Sequence, residues 1–90
     1  GRAGIAVVRV SGPQAGPIIQ SLAGRSLEPR RFQRVTLRDP TDQSLIDQAV
    51  AVWLPGPRSV TGEDCAEFHI HASPAVQSAL LKALSNFGDT

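Results

Sequence analysis

The chain has 90 residues, of which nine are Lys or Arg and eight are Asp or Glu, so its net charge is +1. This length allows one small domain, and the near-neutral charge supplies no strong field for gathering nucleic acid or acidic lipid. The single cysteine excludes an internal disulfide, and no apolar stretch reaches the ~18–20 residues of a membrane-spanning helix. The sequence begins Gly1-Arg2 and lacks methionine, so we expect a piece of a longer protein.

The first quarter of the chain predicts a strand and a short helix. Residues 4–10, with the sequence GIAVVRV, are an apolar, β-branched run that is typical of a strand buried on both faces. Pro17 suits the first position of a helix, and Gly24 suits its left-handed end. The apolar stripe between them comprises Ile18, Ile19 and Leu22.

The middle of the chain predicts an antiparallel hairpin. Residues 34–38 alternate strictly between polar and apolar side chains, which indicates a strand with one wet face. The turn-rich residues 39–44 have the length of a hairpin connection, and residues 45–54 form the returning strand.

The last third predicts a polar loop, a strand and a helix. Residues 55–64 are rich in Gly and Pro, and residues 65–71 alternate again, with Ala66, Phe68 and Ile70 facing a core. Ser73 and Pro74 are suited to the N-cap and first position of a helix, whose stripe comprises Val76, Leu80 and Leu84. The order β-α-β-β-β-α predicts a single small α+β domain, a mixed sheet with two helices.

Two charged side chains, Arg9 and Glu67, lie within otherwise apolar predicted strands. Burying either charge without a partner costs several kcal/mol. The two residues could form a structural ion pair with each other, or each could hold part of a polar ligand. A carboxylate can accept two parallel N–H bonds from a flat donor edge, and a guanidinium can clamp a carboxylate or carbonyl. The residue pattern leaves both alternatives open.

Other groups with possible chemistry are weaker candidates. His69 and His71 share a strand face with Glu67, but a metal site needs further ligands and no second cluster exists, so we predict none. Cys65 and His69 are about 13 Å apart along one strand, too far for a nucleophilic pair, and we predict no catalytic residue. In the loop, Glu63 and Asp64 could bind a ligand or belong to a solvated turn.

Three segments together resemble the MnmE/TrmE family of tRNA-modification GTPases. They are GRAGIAVVRVSG at residues 1–12, WLPGPRSVTGED at residues 53–64, and Glu67 followed by His71 and by PAV at residues 74–76. The resemblance covers essentially the whole chain in the same order and spacing. It implies that residues 1–90 are a TrmE N-terminal-like domain, without the helical and G domains of the full protein.

The resemblance also implies a fold and a ligand. The N-terminal domain of this family resembles the folate-binding part of aminomethyltransferases, forms a homodimer and binds 5-formyltetrahydrofolate. The folate is thought to supply the one-carbon unit placed on C5 of the wobble uridine in tRNA. Two folate-contacting positions of the family correspond to Arg9 and Glu67. We expect Glu67 to accept hydrogen bonds from the pterin and Arg9 to hold a carbonyl or carboxylate.

For the full-length protein, the resemblance implies GTP hydrolysis with bound potassium and magnesium in domains that this chain does not contain. It further implies an FAD-dependent MnmG-type partner, a tRNA substrate and no membrane. The present chain alone is not expected to hydrolyse GTP. The low lysine content favours a mitochondrial member over a bacterial cytoplasmic one.

The sequence departs from the family pattern where Ala72-Ser73 replaces two glycines that usually follow His71. If those glycines require positive φ or allow close approach of a ligand, Ala72 would strain or crowd the turn. One alternative is therefore a dimerisation module that does not bind folate. Another is an unrelated small-molecule-binding regulatory domain with the same element order.

Overall fold

The computed structural model describes residues 4–57, 59 and 61–87. Gly1 to Ala3 of the first family-like segment, and Arg58 and Val60 of the second, lie outside the described residues. The predicted α+β class, small single domain and element order are confirmed. The elements are β1 (Ile5–Ser11), α1 (Ala15–Ala23), β2 (Gln33–Arg38), β3 (Leu45–Leu54), β4 (Cys65–His71) and α2 (Pro74–Ser85). None of the described helices is long and apolar enough to cross a membrane.

The four strands form one sheet in the order β1-β4-β3-β2, and each neighbouring pair is antiparallel. The prediction of a mixed sheet is therefore wrong. The reason is that α1 carries the chain from one edge of the sheet to the other. Strands β2, β3 and β4 then follow one another as an antiparallel meander. The meander ends with β4 beside β1, and that pair is antiparallel as well. A parallel bridge between Pro29 and Trp53 lies outside the strand pairs.

Both helices pack on one face of the sheet, where the hydrophobic core lies. The predicted core residues Ala66, Phe68 and Ile70 of β4 are fully buried there. Helix α1 contributes Leu22 and helix α2 contributes Leu80, both fully buried as well. Burying each of the larger side chains contributes about 1.5–3 kcal/mol, so this single core accounts for most of the drive to fold.

The opposite face of the sheet, called the open face below, is not covered by either helix. Ile5 and Val7 of β1 point to this face and are 64% and 51% exposed. The prediction that β1 is buried on both faces is therefore wrong, because β1 is an edge strand and the helices cover only the side of Ala6, Val8 and Val10. By register, the open face carries Ile5, Val7, Arg9, Ser11, Arg34, Val50, Val52, Leu54, Cys65, Glu67, His69 and His71.

The helix ends agree with the local chemistry of the sequence. Helix α1 begins at Ala15, two residues before the predicted Pro17, because the turn after β1 already leads into helical backbone at Gln14. Gly24 ends it with a left-handed φ of 75°, as predicted. Ser73 is confirmed as the N-cap of α2, since its hydroxyl accepts a hydrogen bond from the Val76 N–H at 3.1 Å.

Candidate ligand-binding site

The antiparallel register brings the two predicted site residues together. Arg9 of β1 lies directly opposite Glu67 of β4, although 57 residues separate them in the chain. Residues that are directly opposite in a sheet point to the same face, and here that face is the open one. The site therefore lies on two paired strands, on the solvent-exposed face of the sheet opposite the helices.

An ion pair joins the two side chains. Arg9 donates to Glu67 Oε2 from Nε at 2.9 Å and from Nη2 at 2.7 Å. The Glu67 side chain is 12% exposed, whereas the Arg9 side chain is 45% exposed. The structure thus shows the ion pair that the sequence left as one of two alternatives. The other alternative, contact with a ligand, stays a prediction for both residues.

The second carboxylate oxygen of Glu67 faces a histidine and an aromatic ring. Glu67 Oε1 lies 3.2 Å from His69 Nε2. The Phe32 ring meets the His69 ring edge-on, with centroids 5.4 Å apart and an interplanar angle of 78°. Phe32 itself is 67% exposed. The sequence did not predict the contact between Phe32 and His69. Phe32 lies in an irregular, arginine-rich stretch, and nothing in that stretch indicates which strand the ring contacts.

The pKa of Glu67 reflects both its burial and its partners. Desolvation raises the pKa, but the hydrogen bonds from Arg9 and His69, with Coulomb attraction to both, outweigh it. The resulting pKa lies below the ordinary value of a glutamate, so the group is a carboxylate at neutral pH. An ionised carboxylate of this kind accepts hydrogen bonds and does not donate them.

A second carboxylate and histidine pair, also not predicted, lies at the far end of β4. The His71 backbone N–H donates to Asp47 Oδ2 at 2.9 Å, and His71 Nδ1 lies 2.9 Å from Asp47 Oδ1. Asp47 is buried, and a buried acid within the apolar strand β3 was the signal that could have revealed this pair. Among the residues that the structure describes, no group of three or more potential metal ligands is present.

The glycine- and proline-rich loop is held in place by its own polar groups. Asp64 Oδ1 accepts from the Gly56 N–H at 2.9 Å, and the Asp64 carbonyl accepts from the Gly12 N–H at 2.8 Å. The Thr61 and Ser11 hydroxyl oxygens are 2.8 Å apart. Asp64 therefore has a structural role in the loop, whereas Glu63 is exposed to solvent.

Cys65 is buried beneath this loop and lies away from the histidines. Its Sγ is 3.3 Å from Thr61 Oγ1 and 3.5 Å from Ser11 Oγ. Burial raises the pKa of the thiol, but hydrogen bonding with the neighbouring hydroxyls, led by Ser11, outweighs that effect and lowers it. His69 Nε2 lies within hydrogen-bond distance of Glu67 Oε1 instead.

The turn at Ala72 is not strained. Among the described residues other than glycine, positive φ occurs at Arg30 and Gln43, and Ala72 is not one of them. The Ala72 N–H donates to the Gly4 carbonyl at 3.0 Å, which closes the end of the β1–β4 pair. The backbone here therefore does not require glycine, and the expected strain is absent.

Comparison with known proteins identifies the family to which this chain belongs. Residues 1–88 match the family described as "GTP-binding protein TrmE N-terminus". The chain is 52% identical over 87 residues to the tRNA modification GTPase MnmE of Beijerinckia indica, covering 97% of this chain and 19% of that protein. It is 56% identical over 84 residues to the same-named protein of Methylorubrum populi, covering 93% of this chain and 19% of the relative. These relatives are bacterial, so the expectation of a mitochondrial protein finds no support in them.

Proposed function

Because the chain belongs to the TrmE family, whose members are tRNA-modification GTPases, we propose that it is the N-terminal module of such an enzyme and binds 5-formyltetrahydrofolate on its open face. The observation that supports the ligand role is the placement of Arg9 and Glu67 on the sheet face that the helices leave uncovered. Family membership removes the alternative of an unrelated regulatory domain. The chain spans about a fifth of the length of these relatives, with 19% covered in each.

The chemistry of the two side chains fits a reduced folate. The pterin ring presents adjacent N–H donors along one flat edge, and Glu67 offers a carboxylate that can accept them. Both hydrogen bonds of Arg9 converge on Oε2, so acceptance of two pterin donors requires Arg9 to turn to a carbonyl or carboxylate of the ligand. The 45% exposure of its side chain allows this movement. When bound, the folate supplies a one-carbon unit. The residues of this chain hold and orient that ligand and leave the transfer to other parts of the protein.

A calorimetric titration of the full-length protein with 5-formyltetrahydrofolate tests this proposal. Glu67→Gln keeps the size of the side chain and removes the charge, so we expect affinity to fall by about tenfold or more, the equivalent of one charged hydrogen bond. Glu28→Gln is the matched control, because Glu28 forms a different ion pair, with Arg31, and both of those side chains are exposed. Equal affinity in all three proteins, or no binding by the unmodified protein, would overturn the folate role.

The open face also supports a proposal of homodimerisation. Ile5 and Val7 are exposed on this face, and Phe32 projects over it from the β2 side. Exposed apolar groups that cluster on one surface commonly mark an interaction site, and a two-fold dimer would bury the same patch on both copies. A structural dimerisation module without folate is the second candidate function, and this patch is the observation in its favour.

Sedimentation of the full-length protein, combined with the calorimetric titration, separates the two candidates. Val7→Lys places a charge in the patch and is expected to shift the protein from dimer to monomer. Leu81→Lys is the matched control, since Leu81 is equally exposed but lies on α2, across the sheet. A dimer that binds no folate would support the structural module, whereas a dimer unaffected by Val7→Lys would rule out this surface.

The activity of the full-length protein follows as a further part of the proposal. The present chain has no G-x-x-x-x-G-K-[ST] motif, so GTP hydrolysis with potassium and magnesium would belong to the G domain. The assembled enzyme would act with an FAD-dependent MnmG-type partner on C5 of the wobble uridine in tRNA, in a bacterial cytoplasm. The near-neutral charge of this chain agrees with a role in holding the one-carbon donor rather than the tRNA.

A further inference from the structure

A row of four residues crosses the open face beside Glu67. Val7, His69, Val50 and Arg34 stand directly opposite one another on successive strands from β1 to β2. His69 is two residues from Glu67 and so points to the same face. From His69, which lies beside the Glu67 carboxylate, the row therefore extends across the sheet to Arg34 on the edge strand β2.

A cavity of about 250 Å³ lies along this row. Its floor is apolar at Ile5 and Val50, and its polar groups belong to Arg34, Gln48, His69 and His71. No acidic residue is among the described residues that line it. The carboxylates beside the lining histidines are already engaged, since Asp47 lies against His71 and Glu67 lies against His69 and Arg9. The cavity thus combines an apolar floor with a cationic end.

We propose that this cavity is the subsite for the carboxylate tail of the ligand whose flat ring is held at Glu67, with Arg34 as the residue that recognises the tail. The inference rests on the proposed folate role, since a reduced folate is a flat ring joined through a benzoyl amide to a glutamate. The benzoyl group would lie over Val50, and a guanidinium is suited to bidentate contact with a carboxylate.

The distance across the sheet suits a ligand of this shape. Glu67 and Arg34 are two strand spacings apart, with one step of two residues along the strands between their rows. At about 4.8 Å per strand and about 3.3 Å per residue, the two Cα atoms are about 12 Å apart. A ligand with its ring held at Glu67 can therefore extend a tail across this distance to Arg34.

A comparison of two ligands on two proteins tests the subsite. The full-length protein is titrated with 5-formyltetrahydrofolate and with the N-methyl amide of 5-formyltetrahydropteroate, which keeps the ring and the benzoyl amide but has neither the glutamate nor any other carboxylate. The unmodified protein should prefer the ligand with the tail by about tenfold, as expected for a charge-assisted bidentate contact. Arg34→Gln should abolish that preference while leaving the affinity for the tail-less ligand unchanged, which also shows that the variant is folded.

Arg38→Gln is the matched control, because Arg38 lies on the same strand but donates to the Gln43 carbonyl outside the cavity. It should keep the full preference for the tail. A preference that persists in Arg34→Gln, or its absence in an unmodified protein that binds both ligands, would overturn the subsite and leave the folate role standing. Failure of the unmodified protein to bind either ligand would overturn both.

Discussion

Arg9 and Glu67 face each other across β1 and β4, and both hydrogen bonds from the Arg9 guanidinium converge on a single oxygen, Glu67 Oε2. The other oxygen, Oε1, lies 3.2 Å from His69 Nε2. The carboxylate is therefore anchored through one oxygen, while the other has a weaker and longer contact. A ligand that competes for Oε1 can displace His69 without breaking the ion pair.

The coupling between Arg9 and Glu67 can be measured with a double-mutant cycle. We expect Arg9→Gln, Glu67→Gln and the double variant to give a coupling free energy of about 1 kcal/mol, because the carboxylate is largely buried but the guanidinium is half exposed to screening solvent. Urea denaturation provides the measurement. The more exposed pair Glu28 and Arg31 should show no measurable coupling in the same cycle. A coupling near zero at both pairs would contradict the expectation.

The lowered pKa of Glu67 predicts how stability depends on pH. A carboxyl group whose pKa is lower in the folded state than in the unfolded state contributes its stability above the unfolded value, here the ordinary 4.5. That contribution should disappear as the pH falls further, through the folded pKa. Urea denaturation from about pH 7 to about pH 3 would show the loss, and Glu67→Gln should reduce the acid sensitivity. An identical pH profile in both proteins would contradict the ion pair as its source.

Crowding at Gly56 predicts the effect of an added methyl group. A Cβ at this position would lie 2.9 Å from the Glu63 carbonyl carbon and 2.9 Å from the Gly62 carbonyl oxygen. Because both atoms belong to the backbone, Gly56→Ala should destabilise the fold by about 1–3 kcal/mol. Gly4→Ala is the control, since its Cβ would meet Ala72 at an ordinary 3.7 Å. Similar urea midpoints for the two variants would show that the loop relaxes freely.

The N-cap of α2 gives a fourth prediction. Ser73→Ala removes the acceptor for the Val76 N–H and should lower the free energy of unfolding by about 1 kcal/mol. Ser73→Asp retains a capping oxygen and places a negative charge at a helix start whose first turn has no acidic residue, so it should match or exceed the original stability. Thermal or urea unfolding of the three proteins checks the order, and a stable Ser73→Ala would contradict it.

Local patterns predicted most of the fold. The alternation in residues 65–71 identified both faces of β4, and Ser73, Pro74 and Gly24 marked helix ends because capping chemistry depends only on nearby residues. The burial of β1 was different. Ile5 and Val7 have the same apolar character as a fully buried strand, and only the order β1-β4-β3-β2 reveals that they lie at an edge, on the uncovered side.

The candidate site was partly predictable for the same reason. Arg9 and Glu67 stood out because each is a charge within an apolar strand. That they pair depends on the register between strands far apart in the chain, which no local pattern determines. Phe32, Arg34 and Asp47 needed this register even more, since each acquires its role from residues on another strand.

The loop between β3 and β4 has a consequence for how relatives are recognised. Gly56 is required by close packing, and Asp64 and Thr61 hold the loop to Gly12 and Ser11. These contacts would persist in a chain that had exchanged Arg9 or Glu67 for neutral residues. The loop signature therefore indicates a shared scaffold, whereas under the proposed function the two charges on the strands would separately indicate the capacity to bind. If the proposed folate role holds, a search for folate-binding relatives should use the Arg9 and Glu67 strand pair as its criterion.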